Sequence, residues 1–458
     1  MELTTYPMLE DHISASEVIT PQGNEILIYN TITGKKKYPN RAVFNFLKLA
    51  TGTRTFREIA EELSLQSGEP VEDIWPGLSS IAEKMVKNGL LKVSETPFEN
   101  PRKPPPSAEM IHRIENVSFE TTRKCNLRCR HCYSNSGIQL EEELSIEEVK
   151  ALIDQLYDAG LLSITFTGGE PLLHPHLFEL MEHARKKPLT ILLFTNGTLL
   201  TSEIVEKLKE LHVYRVNISI DGPDAETHDQ FRRMEGALER TTRGITLLRE
   251  AGIPVQVSTS VTKVNYTKLK EILYLIKGLE INEFKIWPIS FSGRAGEEEI
   301  CLTSEEFREV MEALREFEFE ELGKTGKEEF KYSKTPPNCG IGTGALAIKC
   351  NGVVTPCPAF GERVSLGNVR ERSVADIWNN SELLNELRAM SVFETEICKD
   401  CEFAPVCKGG CIADIYERSG EFTCYDPYVC VAFDVTKGDY IPVEVDDTQP
   451  STLSVEMV

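Results

Sequence analysis

Three cysteines in one short stretch are the residues best suited to chemistry, in the order Cys125-x3-Cys129-x2-Cys132. Three thiolates on one tight loop can hold three irons of a [4Fe–4S] cluster, which normally takes four cysteines, so one iron would keep an open position for a ligand. A structural zinc site with His131 as the fourth donor is the alternative. The pattern favours the iron–sulfur cluster, because adjacent His131 and Cys132 could not easily both reach one tetrahedral ion.

Glycine and polar residues recur where later predicted strands end. These residues are Gly168, Gly169 and Glu170 in Thr-Gly-Gly-Glu-Pro, Asn196 in Thr-Asn-Gly, and Ser219 and Asp221 in Ser-Ile-Asp-Gly. Paired glycines let the backbone approach a ligand closely, and a carboxylate can accept hydrogen bonds from a ribose diol. Each motif alone is a common turn. Their recurrence at successive strand ends beside the cysteine loop predicts a ligand site.

Alternating strand and helix patterns position these motifs. The predicted strands are Ser118 to Thr121, Ser163 to Thr167, Thr190 to Thr195, Arg215 to Asp221, Val255 to Val261 and Phe284 to Pro288. Helices lie between them, such as Ser145 to Ala159 with its capping box of Ser145 and Glu148. Six such units predict an α/β fold with a partial (β/α)6 TIM-type barrel, and an open doubly wound sheet is the alternative. Either layout places ligands at the carboxyl ends of the strands.

The cysteine loop after the first strand, followed by Gly168-Gly169-Glu170-Pro171 after the second, resembles the radical S-adenosylmethionine (SAM) superfamily over about residues 115–290. The resemblance implies that the three cysteines hold a cluster whose open iron binds SAM, and that SAM is cleaved to a 5′-deoxyadenosyl radical. It also implies cofactor contacts: Gly168, Gly169 and Glu170 to the methionine amine, Ser219 and Asp221 to the ribose, and His131 and Tyr133 on either side of the adenine. Further candidate contacts are Asn196 and Ser258, from their strand-end positions, and Arg232, from a short His-Asp-x-x-Arg match.

Seven cysteines near the C-terminus resemble the SPASM extension that carries auxiliary iron–sulfur clusters. The resemblance assigns Cys339, Cys357 and Cys411 to a first cluster and Cys398, Cys401, Cys407 and Cys430 to a second. With the SAM-binding cluster, this makes three [4Fe–4S] clusters. The first auxiliary cluster would have only three ligands, and we hypothesise that its open iron binds a substrate thiolate. Cys350 could instead fill that position, Cys424 could replace Cys430, and two structural zinc knuckles are the alternative for the whole region.

The first 95 residues show a hairpin, three helices and a closing strand, which predict a winged-helix domain. The hairpin Tyr29 to Gly34 and the closing Gly89-Leu90-Leu91 resemble the PqqD-like peptide-recognition element. The resemblance implies binding of a leader peptide as an extra strand on the sheet edge. DNA binding is the alternative for a winged helix. It is disfavoured because residues 1–100 contain ten Lys or Arg against fourteen Asp or Glu.

Length, charge and cysteine content set wider limits. A chain of 458 residues implies several domains, and a net charge of −22 argues against nucleic-acid or membrane-surface partners. We find no apolar run long enough to span a bilayer and no signal peptide, so we expect a cytoplasmic protein whose thirteen cysteines serve as metal ligands or catalytic groups. The predicted divisions are 1–95 for leader recognition, 96–110 as a proline-rich linker, 111–325 as the barrel, 326–436 as the SPASM domain and 437–458 as a tail.

These observations predict a radical SAM maturase of a ribosomally made precursor peptide. Asn338-Cys339-Gly340 and Ser365 to Asn368 resemble the thioether-forming maturases of sactipeptides and ranthipeptides. The expected partners are the precursor peptide and an electron donor such as flavodoxin or ferredoxin. Formation of a carbon–carbon crosslink, or action on a protein residue or a tetrapyrrole, is the alternative. A non-enzymatic zinc-binding interaction protein is the second alternative.

Overall fold

The N-terminal unit combines short strands with three helices in the computed structural model, which describes residues 1–20, 23–104, 113–140, 142–289, 292–322, 330–332, 338–361, 363–401, 403–426, 429–430 and 442–444. Its elements are β1 Tyr6–Leu9, β2 Ile13–Thr20, β3 Gly23–Asn30, β4 Lys36–Lys37, α1 Arg41–Leu49, α2 Phe56–Ser67, α3 Val71–Lys87 and β5 Leu91–Ser94. The predicted hairpin, helices and closing strand are all present. Strands β1 and β2 were not predicted. β2 joins β3 and β4 in an antiparallel sheet, and β1 pairs with β5.

Local signals explain the helices of this unit. Thr55 and Glu58 form a capping box at the start of α2, and Gly68 ends that helix in the left-handed conformation. The apolar faces of the three helices pack into one core around fully buried Phe56 and Ile59. Burial of such side chains contributes roughly 1.5–3 kcal/mol each.

A parallel sheet forms the centre of the molecule. Its elements are β6 Asn116–Glu120, α4 Ile146–Asp158, β7 Ser163–Thr167, α5 Leu177–Arg185, β8 Thr190–Thr195, α6 Ser202–Glu210, β9 Arg215–Ser219, α7 Ala225–Arg232, α8 Ala237–Glu250, β10 Val255–Val261, α9 Leu269–Gly278, β11 Glu283–Pro288, α10 Arg294–Glu297 and α11 Ser304–Leu322, with 3-10 turns at Pro171–Leu173 and Tyr266–Lys268. Strands β6 to β11 lie side by side in chain order, all parallel. The predicted partial barrel is confirmed. Val117 and Phe119 of β6 are buried in the core that the sheet shares with the helices, whereas Ser118 between them is partly exposed.

The cysteine-rich region extends the same sheet. Its elements are β12 Phe330–Tyr332, β13 Ala345–Ile348, β14 Val353–Thr355, β15 Gly367–Asn368, α12 Val374–Asn380, α13 Glu382–Ala389, a 3-10 turn at Val392–Glu394, α14 Ala404–Cys407, α15 Ile412–Ser419 and β16 Pro442–Glu444. β13 runs parallel to β6, and β14 and β15 follow it, so the sheet has nine strands. β12 pairs with β16. The single helix predicted near residues 374–390 is two helices, because Ser381 adopts an extended conformation and its hydroxyl caps α13. Apart from β16, the predicted tail at 437–458 lies outside the described residues.

The N-terminal unit packs against the end of the barrel where the strands begin. The Tyr29 hydroxyl donates to Thr190 Oγ1 at 2.9 Å, and Thr190 Oγ1 donates to the Thr31 carbonyl at 2.9 Å. Lys36 Nζ lies 2.8 Å from a carboxylate oxygen of Glu115, which immediately precedes β6. Because Thr190 is the first residue of β8, these contacts lie at the amino ends of the strands. The predicted ligand residues lie at the opposite, carboxyl ends.

Candidate iron–sulfur and cofactor site

The cysteine loop leaves the carboxyl end of β6, as predicted. Burial raises the pKa of the Cys125 thiol to about 12, and the neighbouring Glu170, Cys129 and Cys132 add to that rise. The Leu127 backbone N–H donates to Cys125 Sγ at 3.4 Å. Metal ligation requires the thiolate form. Because burial disfavours that form, these thiols would lose their protons when a metal cation binds and stabilises the thiolates. A soft, sulfur-only donor set on one loop fits an iron–sulfur cluster.

The paired glycines hold the cysteine loop against β7. The Gly169 N–H donates to the Thr122 carbonyl at 2.7 Å, and the Glu170 N–H donates to the Lys124 carbonyl at 2.9 Å. A Cβ on Gly169 would lie 2.4 Å from the Lys124 carbonyl oxygen, and one on Gly168 would lie 2.6 Å from that of Thr122. The structure therefore gives these glycines a packing role. Their contact with the methionine amine stays a prediction.

The Glu170 carboxylate is buried and joins two strand ends. It accepts hydrogen bonds from Thr195 Oγ1 at 2.7 Å, the Asn196 N–H at 2.9 Å and the Leu172 N–H at 3.1 Å. Burial raises its pKa to about 6, although the hydrogen bonds oppose the rise. The Asn196 side chain donates to Asn126 Oδ1 at 2.9 Å, which links the end of β8 to the cysteine loop. Glu170 and Asn196 thus connect the ends of β7 and β8 to the cysteine loop through hydrogen bonds.

A buried ion pair between Asp221 and Arg232 also contacts the cysteine loop. Both side chains are buried, and Asp221 Oδ2 lies 2.6 Å from Arg232 Nε and 2.5 Å from Nη2. Burial opposes ionisation of Asp221, but the charge of Arg232 keeps the pKa of that carboxyl below its ordinary value. Arg232 Nη1 also lies 3.8 Å from Cys129 Sγ. Ser219 is partly buried and directly opposite Ser258 on β10, two residues from the carboxylate.

The two predicted adenine-flanking rings have different neighbours. His131 stacks on Phe231 with ring centres 4.5 Å apart, and its Nε2 lies 3.8 Å from Asp221 Oδ2. Burial lowers the pKa of His131 to about 3, and its buried Nδ1 has no hydrogen-bond partner. A neutral imidazole with an unsatisfied nitrogen fits a site for a cofactor that presents a hydrogen-bonding group. Tyr133 instead lies beside the C-terminal region, with its ring centre 5.5 Å from Lys349 Nζ.

Several of the auxiliary cysteine thiols lie close to one another, and their assignment to two clusters stays a prediction. Burial raises the pKa of Cys411 to about 12, and Cys357 and Cys339 add to the rise. In the second assigned set, burial raises the pKa of Cys430 to about 11, with further contributions from Cys398 and Cys401. Burial likewise raises the pKa of Cys407 to about 11, and Cys430 and Cys398 add to the rise. Within the described part of the chain, no three His, Cys, Asp or Glu side chains are already arranged to hold a metal ion.

The two remaining candidate cysteines lie in different places. Cys424 is buried near members of both assigned sets. Burial raises the pKa of its thiol to about 11, and Cys339 and Cys398 add to the rise. Cys350 follows β13 by two residues and donates its S–H to Oε1 of Glu120, the last residue of β6, at 3.1 Å. Burial and Glu120 raise the pKa of the Cys350 thiol. The structure therefore places Cys350 beside the start of the cysteine loop.

Glu143 belongs to no recognised motif, yet it supports the same loop. Its carboxylate accepts hydrogen bonds from Thr122 Oγ1 at 3.0 Å and from the Arg123 N–H at 2.7 Å. Arg123 Nε donates in turn to Glu120 at 3.0 Å. The run of three glutamates at 141–143 offers no signal that the third one is structural.

Comparisons with known proteins agree with this geometry. A family model described as the Radical SAM superfamily matches residues 119–277, and the SPASM model, described as an iron–sulfur cluster-binding domain, matches residues 339–402. An AdoMet-dependent heme synthase of Nitratidesulfovibrio vulgaris is 35% identical over 337 residues, covering 68% of this chain and 90% of that protein. The antilisterial bacteriocin subtilosin biosynthesis protein AlbA of Bacillus subtilis is 34% identical, covering 65% and 66%.

The fold is also similar to a solved structure, that of Streptococcus suis SuiB bound to its precursor peptide SuiA. The TM-score is 0.66 at 16% identity, and the match covers 92% of this chain and 99% of that chain. Taken together with the family models, the relatives define the class: this chain belongs to the radical SAM superfamily and carries a C-terminal SPASM domain. It is therefore an enzyme, and its two domains imply SAM and [4Fe–4S] clusters as cofactors. None of the helices among the described residues is long and apolar enough to cross a membrane.

Proposed function

We propose that this enzyme matures a ribosomally synthesised precursor peptide by joining a cysteine sulfur to a carbon of another residue. The observation that carries the proposal is the N-terminal unit, which lies outside both family models and ends in an open sheet edge. In the described residues, β4 pairs only with β3. In this proposal an extended peptide adds to its outer edge, as in a PqqD-like domain.

The comparisons support this choice unequally. The heme synthase relative covers 68% of the chain, whereas the fold match to SuiB covers 92% and so extends into the N-terminal unit. SuiB in that structure is bound to a precursor peptide, and AlbA is named for bacteriocin biosynthesis. Both relatives support a peptide as the substrate of this enzyme.

The position of the N-terminal unit constrains the substrate. The unit contacts the amino ends of the strands, whereas the cysteine loop lies at their carboxyl ends. A five-residue strand such as β7 is roughly 17 Å long at about 3.3 Å per residue. A leader bound to β4 must therefore be followed by at least about five extended residues before the residue that reacts.

Three sets of cysteines would hold three [4Fe–4S] clusters in this proposal, and flavodoxin or ferredoxin would supply electrons. When bound, the first cluster and SAM would supply the 5′-deoxyadenosyl radical that removes one hydrogen atom from the substrate carbon. The cysteine thiol would lose its proton, and the electron left over when sulfur and carbon join would pass to an auxiliary cluster. Lys349 is buried beside Tyr133 of the SAM-site loop. Burial raises the pKa of Cys357 in the first auxiliary set, and the positive charge of Lys349 opposes that rise. A cation there would stabilise a substrate thiolate bound at the open position of that set.

The test uses anaerobically purified, reconstituted enzyme with a cysteine-containing precursor peptide. We expect mass spectrometry to show the loss of two hydrogens from the full-length precursor, together with 5′-deoxyadenosine. The same precursor with its cysteines replaced by alanine should stay unmodified, and the core peptide without its leader should react far more slowly. If the enzyme cleaves SAM but the full-length cysteine-containing precursor is recovered unchanged, the peptide-maturase role is refuted.

Action on a tetrapyrrole is the second candidate, because the heme synthase relative is 35% identical over 90% of its length. Incubation with an iron porphyrin that carries propionate side chains distinguishes the two functions. Loss of carbon dioxide from the porphyrin, with no change in any precursor peptide, would favour the tetrapyrrole reaction. The peptide proposal expects the porphyrin to be recovered unchanged.

A further inference from the structure

We propose that Arg294 and Glu298 form a clamp that positions the SAM-site cysteine loop and sets the properties of its cluster. The clamp, defined as these two residues, lies on and just after α10, in the segment that follows the sixth barrel strand. The proposal concerns the SAM site and does not depend on which substrate reacts there.

Arg294 binds the cysteine loop through three separate donors. Its backbone N–H donates to the Cys132 carbonyl at 3.1 Å, and its side-chain Nε donates to the Cys129 carbonyl at 2.8 Å. Its Nη1 donates to the Ser136 carbonyl at 3.1 Å. One residue therefore fixes the backbone at two of the three cysteines. The guanidinium reaches both the Cys129 and the Ser136 carbonyls because its donors point in fixed, divergent directions.

Gly293 permits this close approach. Its φ is +57°, and a Cβ there would lie 2.4 Å from the Cys132 carbonyl oxygen and 2.5 Å from that of Tyr133. Both atoms belong to the backbone, so no side chain can move aside. The segment after β11 and the loop after β6 are thus packed together directly.

Glu298 ties the loop to a third element. Its carboxylate accepts from Arg130 Nε at 2.6 Å and also pairs with Arg233, the residue after α7. The preceding residue, Arg232, carries the guanidinium that reaches Cys129 Sγ and Asp221. Glu298 therefore connects the loop to the helix end that supplies a buried positive charge beside Cys129.

The clamp connects the segments that follow the first and the last strands of the partial barrel. Strands β6 and β11 are the first and last of the six barrel strands, and among the described residues they do not pair with each other. The clamp joins the segments that leave their carboxyl ends, at the end of the barrel that carries the cysteine loop. Outer contacts of this kind orient metal ligands, and their loss typically weakens metal binding about 10- to 100-fold.

The charge of Arg294 adds an electrostatic effect. Reduction adds an electron to the cluster, so a nearby cation favours the reduced form, and cluster potentials depend on such charges and on hydrogen bonds. Replacing Arg294 by a neutral residue should make the midpoint potential of the SAM-binding cluster more negative. Arg294→Lys keeps the charge but loses the forked geometry, so it separates the two effects.

The experiment compares Arg294→Gln, Arg294→Lys and Glu298→Gln in the full-length reconstituted enzyme. Exposed Glu297, on the same short helix, gives the matched control Glu297→Gln. The readouts are iron release to a chelator, the electron paramagnetic resonance change that SAM addition causes, and the midpoint potential of the cluster that responds to SAM.

We expect about tenfold faster iron release from the SAM-responsive cluster in Arg294→Gln and Glu298→Gln, and no change in Glu297→Gln. The potential should fall in Arg294→Gln but stay near wild type in Arg294→Lys, while both weaken the SAM-induced spectral change. Wild-type iron release, spectra and potential in all three clamp variants would overturn the proposal, as would an equal effect of Glu297→Gln. If Arg294→Gln fails to fold, the Glu298→Gln and Arg294→Lys measurements decide.

Discussion

Substitution of Gly169 by alanine should dislodge the SAM-site cysteine loop. The new Cβ would lie 2.4 Å from the Lys124 carbonyl oxygen and 2.7 Å from that of Arg123. Ordinary contacts of a Cβ begin near 3.4 Å. The loop must therefore retreat by about 1 Å, because backbone atoms on both sides leave no flexible side chain to yield.

The cost follows from what that retreat breaks. The Gly169 N–H to Thr122 bond of 2.7 Å and the Glu170 N–H to Lys124 bond of 2.9 Å would both stretch beyond hydrogen-bonding distance. Each lost bond costs about 1 kcal/mol, and residual overpacking adds about 1–3 kcal/mol. We expect a total loss of about 3–5 kcal/mol, concentrated at the loop that holds Cys125, Cys129 and Cys132.

Iron per chain and thermal unfolding of Gly169→Ala measure this loss. The matched control is Gly278→Ala at the end of α9, where an added Cβ meets nothing within 4 Å. The control should be as stable as wild type or more stable by up to about 1 kcal/mol, since alanine favours helix. Full iron loading and an unchanged melting temperature in Gly169→Ala would refute the packing role assigned to this glycine.

Three further substitutions test other parts of the structure. Cys350→Ala should leave the iron of both auxiliary sets in place, because its thiol bonds to Glu120; iron loss matching one cluster would contradict this. Asp221→Asn should cost about 3–5 kcal/mol, since it leaves the buried charge of Arg232 without its partner; urea denaturation measures it, and a change below about 1 kcal/mol would count against the ion pair. Tyr29→Phe removes the hydrogen bond to Thr190 and should cost about 1 kcal/mol. Limited proteolysis should then release the N-terminal unit faster, and unchanged cleavage would show that this contact does not hold the unit in place.

Local patterns were enough to predict the six barrel strands and the cysteine loop. Each strand is a short apolar run between turn signals, and each is followed by a helix with its own periodicity. Strands β1 and β2 lack such signals: buried Ser14 and Ser16 interrupt the apolar pattern of β2, and the partner of β1 lies more than 80 residues away. Long-range pairing makes β1 a strand, whereas β2 is held by pairing with the neighbouring strand β3.

The sequence was enough to predict which residues form the candidate site, but not which partners their side chains contact. The types of Glu170 and Asp221 show that each can accept hydrogen bonds, yet not that Thr195, Asn196 and Arg232 already occupy their carboxylates. Cys350 follows a strand that pairs with β6, a long-range contact with no local signature. Its place beside Glu120 therefore could not be read from its spacing to the other cysteines.

The pairing of β13 with β6 also affects how the chain folds during synthesis. β6 is made early, but the strand that covers its open edge comes more than 200 residues later. Until then, a barrel already assembled from β6 to β11 exposes unpaired backbone groups that can join another chain. Parallel pairing over such a distance is slow, since the loop entropy must be lost first. A shortened chain that ends before β13 should therefore aggregate, and the barrel and the cysteine-rich region need to be expressed together.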